Sequence, residues 1–262
     1  MANARFLLTN LASTATVKNG TGGSPTPPAR SEEAPFTMER ALNGDRRSLW
    51  KANAANDVLY FGTDYQLDLD LGSVTSISAV HIGGMSCPGG AISSLEVGYF
   101  ASYPSSTAIV LGTVNFSSGS FPRDYTFTFN SVSARYLYVW IGASASPVIG
   151  NVFPAEVLDV GAAPNFGSQT SHFRNRIEQQ LEDGSVLINE LGYEGADFSL
   201  NFSPVLEATW TLLRRLEQAS GTIVYVDPDN VGYEVYLKGG RVNVSKLGGG
   251  LFSVSFELGR CP

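Results

Sequence analysis

The sequence predicts a mainly β protein of two domains. Gly, Ser, Thr, Val and aromatic residues are plentiful, whereas blocks rich in Ala, Leu, Glu and Lys are scarce. Short segments of alternating polarity recur between turn signals, and only residues 204–219 show the three- and four-residue spacing of an amphipathic helix. Apolar residues make up 43% of the 262 residues and charged ones 16%, which is enough apolar material for two cores.

The first part of the chain predicts a series of short strands. In residues 65–71, Tyr and Leu alternate with Gln and Asp, which is typical of a half-buried strand. Further strands are expected at residues 77–82, 95–100, 108–116, 124–129, 136–141 and 157–160. Seven or eight strands of this kind predict a β-sandwich. Residues 18–34, rich in Gly, Pro, Ser and Thr, predict a loop or arm.

A change of composition predicts the domain boundary. Residues 161–167 are small or Pro and lack periodicity, so we expect domains at 1–162 and 163–262. In the second domain the expected order is three strands, one helix and four strands. Ser203 is the predicted N-cap of the helix, with Pro204 in its first turn, and Trp210 widens its apolar stripe.

The order of motifs in residues 5–160 resembles the discoidin-like, galactose-binding-like family. The resemblance is carried by Asn-Leu-Ala at 10–12, Ala-Leu-Asn-Gly at 41–44 leading to Trp50, and Leu-Asp-Leu-Asp-Leu-Gly-Ser at 67–73. It implies a jelly-roll sandwich whose members bind glycans, lipid head groups or proteins through loops at one end. Flat aromatic rings near strand ends suit sugar faces. The candidate glycan-binding residues are Tyr60, Phe61, Phe100, Tyr103, Phe121 and Phe153.

The same resemblance implies a structural calcium ion between the turn before the Trp and a Glu in the last strand. Hard oxygen ligands at these places would be Asn43, Asp45, Ser48 and Glu156. The sequence departs from the family at Asn43, where an acidic residue is usual. Arg46 and Arg47 offer an alternative, because they could pair with the nearby carboxylates in place of a metal. No other cofactor is expected.

Residues 165–262 resemble, in their order of elements, the tail-tube-derived barrel of bacteriophage distal-tail and hub proteins. This resemblance implies a β-barrel or sandwich packed with one helix, assembled as a ring, with a hexamer favoured over a trimer. The expected neighbours are tail tube and hub proteins, in a virion assembled in the host cytoplasm. Arg214 and Arg215, on the polar side of the helix, are candidate assembly residues.

The sequence gives little support for catalysis. The two histidines, His81 and His172, fall in different predicted domains, and no nucleophile motif accompanies them. Asp68 and Asp70 share one strand face and resemble a glycosidase pair in type, but acids two apart on a strand usually form its polar side. We therefore expect no enzyme.

The charge and the composition of the sequence argue against several classes of binding partner. The net charge is −7 and no basic block occurs, so nucleic-acid binding is not expected. No apolar run is long enough to span a membrane, and the first residues lack a secretory signal pattern. Cys87 and Cys261 fit neither a zinc site nor a disulfide framework.

The main functional hypothesis is a structural protein of a phage tail tip or baseplate. Its second domain would form the ring, and its sandwich would present a surface for protein or host glycan contact. A carbohydrate-binding module is the first alternative, and a glycan-degrading enzyme is the second.

Overall fold

The computed structural model describes residues 3–18, 41–42, 50–51, 64–103, 108–117, 121–165, 169–180, 186–219, 221–227 and 231–260. The chain divides into two compact units. The first, here called the sandwich unit, comprises Thr9–Val157 and Asn230–Gly232. The second, here called the helix unit, comprises Met1–Leu8, Leu158–Asp229 and Tyr233–Pro262. The predicted mainly β class is confirmed.

The sandwich unit contains eight strands, numbered along the whole chain. They are β2 (Thr16–Lys18), β3 (Trp50–Lys51), β4 (Asp64–Gly83), β5 (Ile92–Phe100), β6 (Ala108–Asn115), β7 (Tyr125–Ala143), β8 (Val148–Ile149) and β9 (Asn151–Ala155). Six of them form one sheet in the order β2-β4-β7-β5-β6, with β9 also paired to β4. β3 and β8 form a separate two-stranded sheet. A short 3-10 turn, Leu11–Thr14, precedes β2 and is capped by the Asn10 side chain.

Alternation along the strands separates an aliphatic core from an outer face. Leu67 and Leu69 of β4 lie beside Val139 and Leu137 of β7 in the antiparallel register, and all four are buried. Leu95 of β5 joins the same cluster. The residues between them in sequence therefore point to the opposite face of the sheet, where the candidate site lies.

The helix unit is built on one eight-stranded sheet. Its strands are β1 (Arg5–Leu7), β10 (Val157–Asp159), β11 (Gln169–Gln180), β12 (Val186–Leu206), β13 (Ile223–Val226), β14 (Gly232–Leu237), β15 (Asn243–Gly248) and β16 (Leu251–Arg260). Their order is β10-β1-β13-β14-β16-β12-β11, and β15 pairs with β16. The sequence predicted either a barrel or a sandwich for this unit. The described strands form an open sheet and do not close into a barrel.

The first strand, β1, belongs to the helix unit, although the sequence-based boundary at residue 162 assigned it to the first domain. β1 pairs antiparallel with β13, and Arg5 lies opposite Val226 while Leu7 lies opposite Val224. The first eight residues therefore belong to the helix unit. This pairing joins residues more than two hundred positions apart, and local alternation carries no information on such a partner.

The helix begins later than the sequence predicted. Helix α1 is Glu207–Arg214, and a 3-10 turn, Arg215–Gln218, continues it. Ser203 and Pro204 belong to β12, because the chain up to Leu206 still pairs with β16. Ser203 is thus not the N-cap. The predicted apolar stripe is confirmed, since Leu213 and Leu216 are buried in the core of this unit. None of the helices in the described ranges is long and apolar enough to cross a membrane.

Candidate functional site: an aromatic and acidic sheet face

The outer face of the sandwich sheet carries aromatic rings and carboxylates in register. Three rows cross the sheet from β4 through β7 to β5: Gln66, Trp140, Glu96; Asp68, Tyr138, Gly98; and Asp70, Tyr136, Phe100. Tyr103, just after β5, contacts the same group. We call this set, together with Arg135, the aromatic–acidic face.

Gly98 allows the centre of this face to form. A Cβ atom at position 98 would lie 2.5 Å from the ring of Tyr138 and 2.5 Å from the carbonyl oxygen of Ile109. Only a residue without a side chain leaves room for the Tyr138 ring to lie across β5. The small residue on one strand and the large ring on the next therefore form a matched pair.

The Tyr138 hydroxyl is held by a carboxylate. It donates a hydrogen bond of 2.8 Å to Oε1 of Glu96, and Oε2 of Glu96 accepts one of 3.2 Å from the Thr113 hydroxyl. Burial, together with the neighbouring Glu96 charge, raises the pKa of Tyr138 well above its ordinary value. Tyr138 is therefore a neutral donor, and Glu96 is oriented by two hydroxyl groups.

Aromatic rings run across the face in contact with one another. The centroid of Phe100 lies 5.2 Å from that of Tyr138 and 6.2 Å from that of Tyr103. Tyr103 lies 5.5 Å from Tyr136. Phe100 and Tyr138 are buried, whereas Tyr103, Tyr136 and Trp140 are half-buried. Of these aromatic rings, the three half-buried ones are the ones that a ligand can reach.

An ion pair fixes one side of the face. Arg135 donates two hydrogen bonds to Asp70, from Nε to Oδ1 at 2.7 Å and from Nη2 to Oδ2 at 3.0 Å. The Asp70 carboxylate also accepts the backbone N–H of Gly72 at 2.9 Å. The guanidinium lies 4.9 Å from the centre of the Tyr136 ring. This two-bond geometry and the ring contact hold both Arg135 and Tyr136 in place.

Asp68 is a buried carboxylate at the base of the face. Its relative exposure is 2%, and Oδ1 accepts a hydrogen bond of 2.6 Å from Nε2 of Gln66. Oδ2 is buried and accepts no hydrogen bond from the residues described here. Burial raises the pKa of Asp68 to about 6, although hydrogen bonding by Gln66 and Tyr103 acts in the opposite direction. Asp68 is thus ionised near neutral pH at a low-dielectric position.

The predicted glycan-binding residues do not form one group. Phe100 and Tyr103 come together in the aromatic–acidic face. Phe121 packs half-buried against the sandwich core. Phe153 lies inside β9 with 1% exposure, so it is not the strand-end aromatic that was expected, because β9 pairs along its length with β4. Tyr60 and Phe61 lie outside the described residues.

The calcium ligands remain a prediction. Asn43, Asp45 and Ser48 lie outside the described residues, and Glu156 is exposed. Among the described residues, no group of three or more His, Cys, Asp or Glu is placed to hold a metal ion.

The other predicted residues have ordinary packing partners. Arg214 is exposed, lies 5.7 Å from the ring centre of Trp210 and 3.7 Å from Oε2 of Glu217, and Arg215 is exposed as well. His81 is fully buried, with Nδ1 2.9 Å from the Thr126 hydroxyl. The side chain of His172 lies outside the described set.

The sequence predicted that Asp68 and Asp70 are exposed to solvent, and the structure shows that this prediction is wrong. They do share one face of β4, but both are buried. The polarity pattern did not reveal the burial of Asp68, its hydrogen bond with Tyr103, or the long-range Arg135 partner of Asp70. Sequence reasoning also missed Glu96, Tyr136, Tyr138 and Trp140 as site residues, although the alternation of residues 136–140 was a usable signal.

The comparisons with known proteins give weak similarities. No family model matches the chain, and no curated protein matches it. Similar solved structures include a GH29 fucosidase from Ruminococcus gnavus in complex with fucose, with 16% identity over 56% of this chain and 26% of that chain and a TM-score of 0.43. This chain therefore spans about a quarter of the fucosidase chain.

Two separate binding modules are similar at the same level. One is chitosan-binding module 1 from a chitosanase/glucanase of Paenibacillus sp. IK-5, with 17% identity, 56% of this chain, 99% of that chain and a TM-score of 0.40. The other is CBM32-3 from a family 31 glycoside hydrolase of Clostridium perfringens, with 13% identity, 55% of this chain, 93% of that chain and a TM-score of 0.40.

Proposed function

We propose that the sandwich unit binds carbohydrate on the aromatic–acidic face. The observation that carries this proposal is the placement of half-buried rings beside oriented carboxylates on one sheet face. Tyr136 and Trp140 are four residues apart on β7, which separates them by about 13 Å along the strand. Two rings at that distance suit an oligosaccharide better than a single sugar.

The chemistry of the face suits sugar hydroxyls as well as sugar rings. Aromatic faces pack against the apolar C–H side of a sugar, and fixed polar groups accept hydrogen bonds from its hydroxyls. Glu96 is half-buried and already held in place by Tyr138 and Thr113. A side chain that is fixed before binding loses little further conformational entropy when a ligand arrives.

Binding is favoured over hydrolysis at this face. Hydrolysis of a glycosidic bond uses two carboxyl groups, one on either side of the bond. Asp70 has both oxygens engaged by Arg135, and Asp68 is almost fully buried, with 2% exposure. We therefore propose a binding module and not a glycosidase.

A glycan array followed by calorimetric titration of the full chain tests the proposal. Trp140→Ala and Tyr136→Ala should each weaken binding by about five- to thirtyfold, since loss of one stacking contact is worth about 1–2 kcal/mol. Trp210→Ala in the helix unit is the matched control, because Trp210 is another half-buried Trp and lies in a different unit. It should bind like the unchanged protein.

A second variant tests the geometry of the face. Gly98→Ala places a Cβ against the Tyr138 ring and should displace that ring, whereas Tyr138→Phe keeps the ring and loses the bond to Glu96. Both should weaken binding, with the larger loss for Gly98→Ala. Unchanged binding in Trp140→Ala, Tyr136→Ala and Gly98→Ala would place any ligand elsewhere and overturn the proposal.

We propose a second function, self-assembly through the helix unit. All six residues of β15 are exposed, and in the described chain this strand pairs on one side only, with β16. Val244 and Leu247 are exposed on it by 42% and 54%. Exposed strand edges readily pair with another copy of the same chain. The exposed edge of β15 supports self-assembly of the chain, and we propose that the assembly is a ring of the phage tail-tip kind, in a virion with tube and hub proteins as neighbours.

Light scattering of the full chain measures this assembly. We expect a hexamer, or failing that a trimer, that dissociates when Val244→Lys and Leu247→Lys are combined. Val110→Lys is the control, because Val110 is an apolar residue of the sandwich unit with 51% exposure. A monomer at high concentration, before any substitution, would contradict self-assembly.

A further inference from the structure

The aromatic–acidic face carries more negative than positive charge in its described part. Three carboxylates, those of Asp68, Asp70 and Glu96, lie on it, and one guanidinium, that of Arg135, pairs with Asp70. The donors to Glu96 are two hydroxyl groups, and the donor to Oδ1 of Asp68 is an amide. Neutral donors orient these two carboxylates without balancing their charges.

The depth of these carboxylates strengthens their field. Asp68 is almost fully buried, and Glu96 is half-buried. Charges at such positions are screened by salt much less than charges on an open surface. The two side chains that hydrogen-bond to Asp68, those of Gln66 and Tyr103, are both uncharged, and Oδ2 accepts no hydrogen bond from the residues described here.

The aromatic rings, like the carboxylates, favour a positively charged ligand. The face of a Tyr or Trp ring attracts cations through its quadrupole. The molecule already uses this attraction here, because the Arg135 guanidinium lies 4.9 Å from the centre of the Tyr136 ring. A second cation beside the remaining rings would gain both from the rings and from the two unbalanced carboxylates.

From this arrangement we infer that the ligand of the face is an amine-bearing carbohydrate, an oligosaccharide whose sugar units carry free, protonated amino groups. The inference rests on the proposed carbohydrate-binding function and names its substrate class. Glu96 is the specificity residue, because it is half-buried and a ligand can reach it. Asp68 adds a second negative charge at an almost fully buried position of the same face. Acetylation of the amino group removes the positive charge and therefore the electrostatic gain.

Calorimetry on the full chain with three oligosaccharides of equal length and linkage tests this inference. The probes are β-1,4-linked glucosamine, its fully N-acetylated form, and β-1,4-linked glucose, at a pH where the free amines are protonated. The glucosamine oligomer should bind at least about tenfold more tightly than either of the others, equivalent to about 1.4 kcal/mol. Because the two carboxylates are buried or half-buried, this advantage should fall only slightly as salt is raised.

Charge-removing variants identify the source of the selectivity. Glu96→Gln keeps the shape and the hydrogen-bond acceptor for Tyr138 but removes the charge, so it should abolish most of the advantage of the free amine. Glu207→Gln is the control, because Glu207 is an exposed carboxylate in the helix unit and lies outside the face. It should preserve the selectivity.

The outcomes separate this inference from the proposed function. Equal or tighter binding of the glucose or acetylated oligomer would overturn the amine selectivity while leaving carbohydrate binding intact. Binding of none of the three oligomers, nor of any array glycan, would overturn both. Binding of a lysine-rich peptide without any sugar would also overturn both, and would assign the face to a basic protein segment.

Discussion

The two units of this protein use aromatic residues in opposite ways. In the helix unit the rings form the core: Phe6 stacks with Tyr225 at 5.4 Å, and Phe202 stacks with Phe256 at 5.9 Å. In the sandwich unit the buried core is largely aliphatic, and the rings of Tyr136 and Trp140 lie on the opposite face of the sheet.

The polar neighbours of the rings explain this difference. The aromatic cluster of the helix unit packs against Leu and Val side chains, which bury large apolar area. The aromatic row of the sandwich unit alternates with Asp68, Glu96 and Arg135. Carboxylates and a guanidinium cost free energy to bury, so a set of this kind is better explained by recognition than by stability.

The largest expected effect is loss of stability from the helix-unit core. Phe202→Ala removes a fully buried ring and leaves a cavity, which should cost about 3–5 kcal/mol of unfolding free energy. Trp140→Ala should cost less, because Trp140 is half-buried on the outer face. Chemical denaturation followed by circular dichroism measures both.

The same two variants can contradict the difference described between the two units. Phe202→Ala should leave oligosaccharide binding unchanged under conditions where the sandwich unit is folded. A larger stability loss in Trp140→Ala than in Phe202→Ala would mean that the aromatic row is a structural core after all.

The next effect concerns the pH dependence of stability. The pKa of Asp68 is raised to about 6 in the folded protein, from a usual value near 4. The ionised group therefore destabilises the fold above about pH 6, and this penalty disappears as pH falls towards 4 and the carboxyl takes a proton. At about 1.36 kcal/mol per pKa unit, the penalty reaches at most about 3 kcal/mol.

Asp68→Asn should remove this dependence. Between pH 4 and pH 7 the variant should gain stability relative to the unchanged protein, by at most about 3 kcal/mol. Urea denaturation at a series of pH values measures the difference. Glu156→Gln, at an exposed position, should show no comparable change. A parallel pH profile for Asp68→Asn and the unchanged protein would show that Asp68 is not buried in its charged form.

The smallest expected effect is at Arg214 of the helix unit. Its guanidinium is exposed and lies 3.7 Å from Glu217, a pair that is worth about 0.5 kcal/mol or less. Arg214→Ala should therefore leave the thermal midpoint almost unchanged. A lower particle mass in light scattering, at unchanged stability, would support the predicted assembly role of this residue, and an unchanged mass would speak against it.

The sequence alone determined the strand content, the single amphipathic helix and the two faces of β4. Alternation and three- or four-residue spacing are local properties, and local properties are readable from adjacent residues. The apolar stripe with Leu213 and Leu216 was predictable for this reason. So was the placement of Asp68 and Asp70 on one face.

The residues that complete each element and site from distant parts of the chain depend on the three-dimensional pairing of the strands. Pairing with β16 delays the start of α1 to Glu207, and pairing with β13 places β1 in the helix unit. Arg135 reaches Asp70 across 65 positions, and Tyr138 reaches Glu96 across 42. Such contacts depend on the register between strands, and a shift of one residue would turn each of these side chains to the other face.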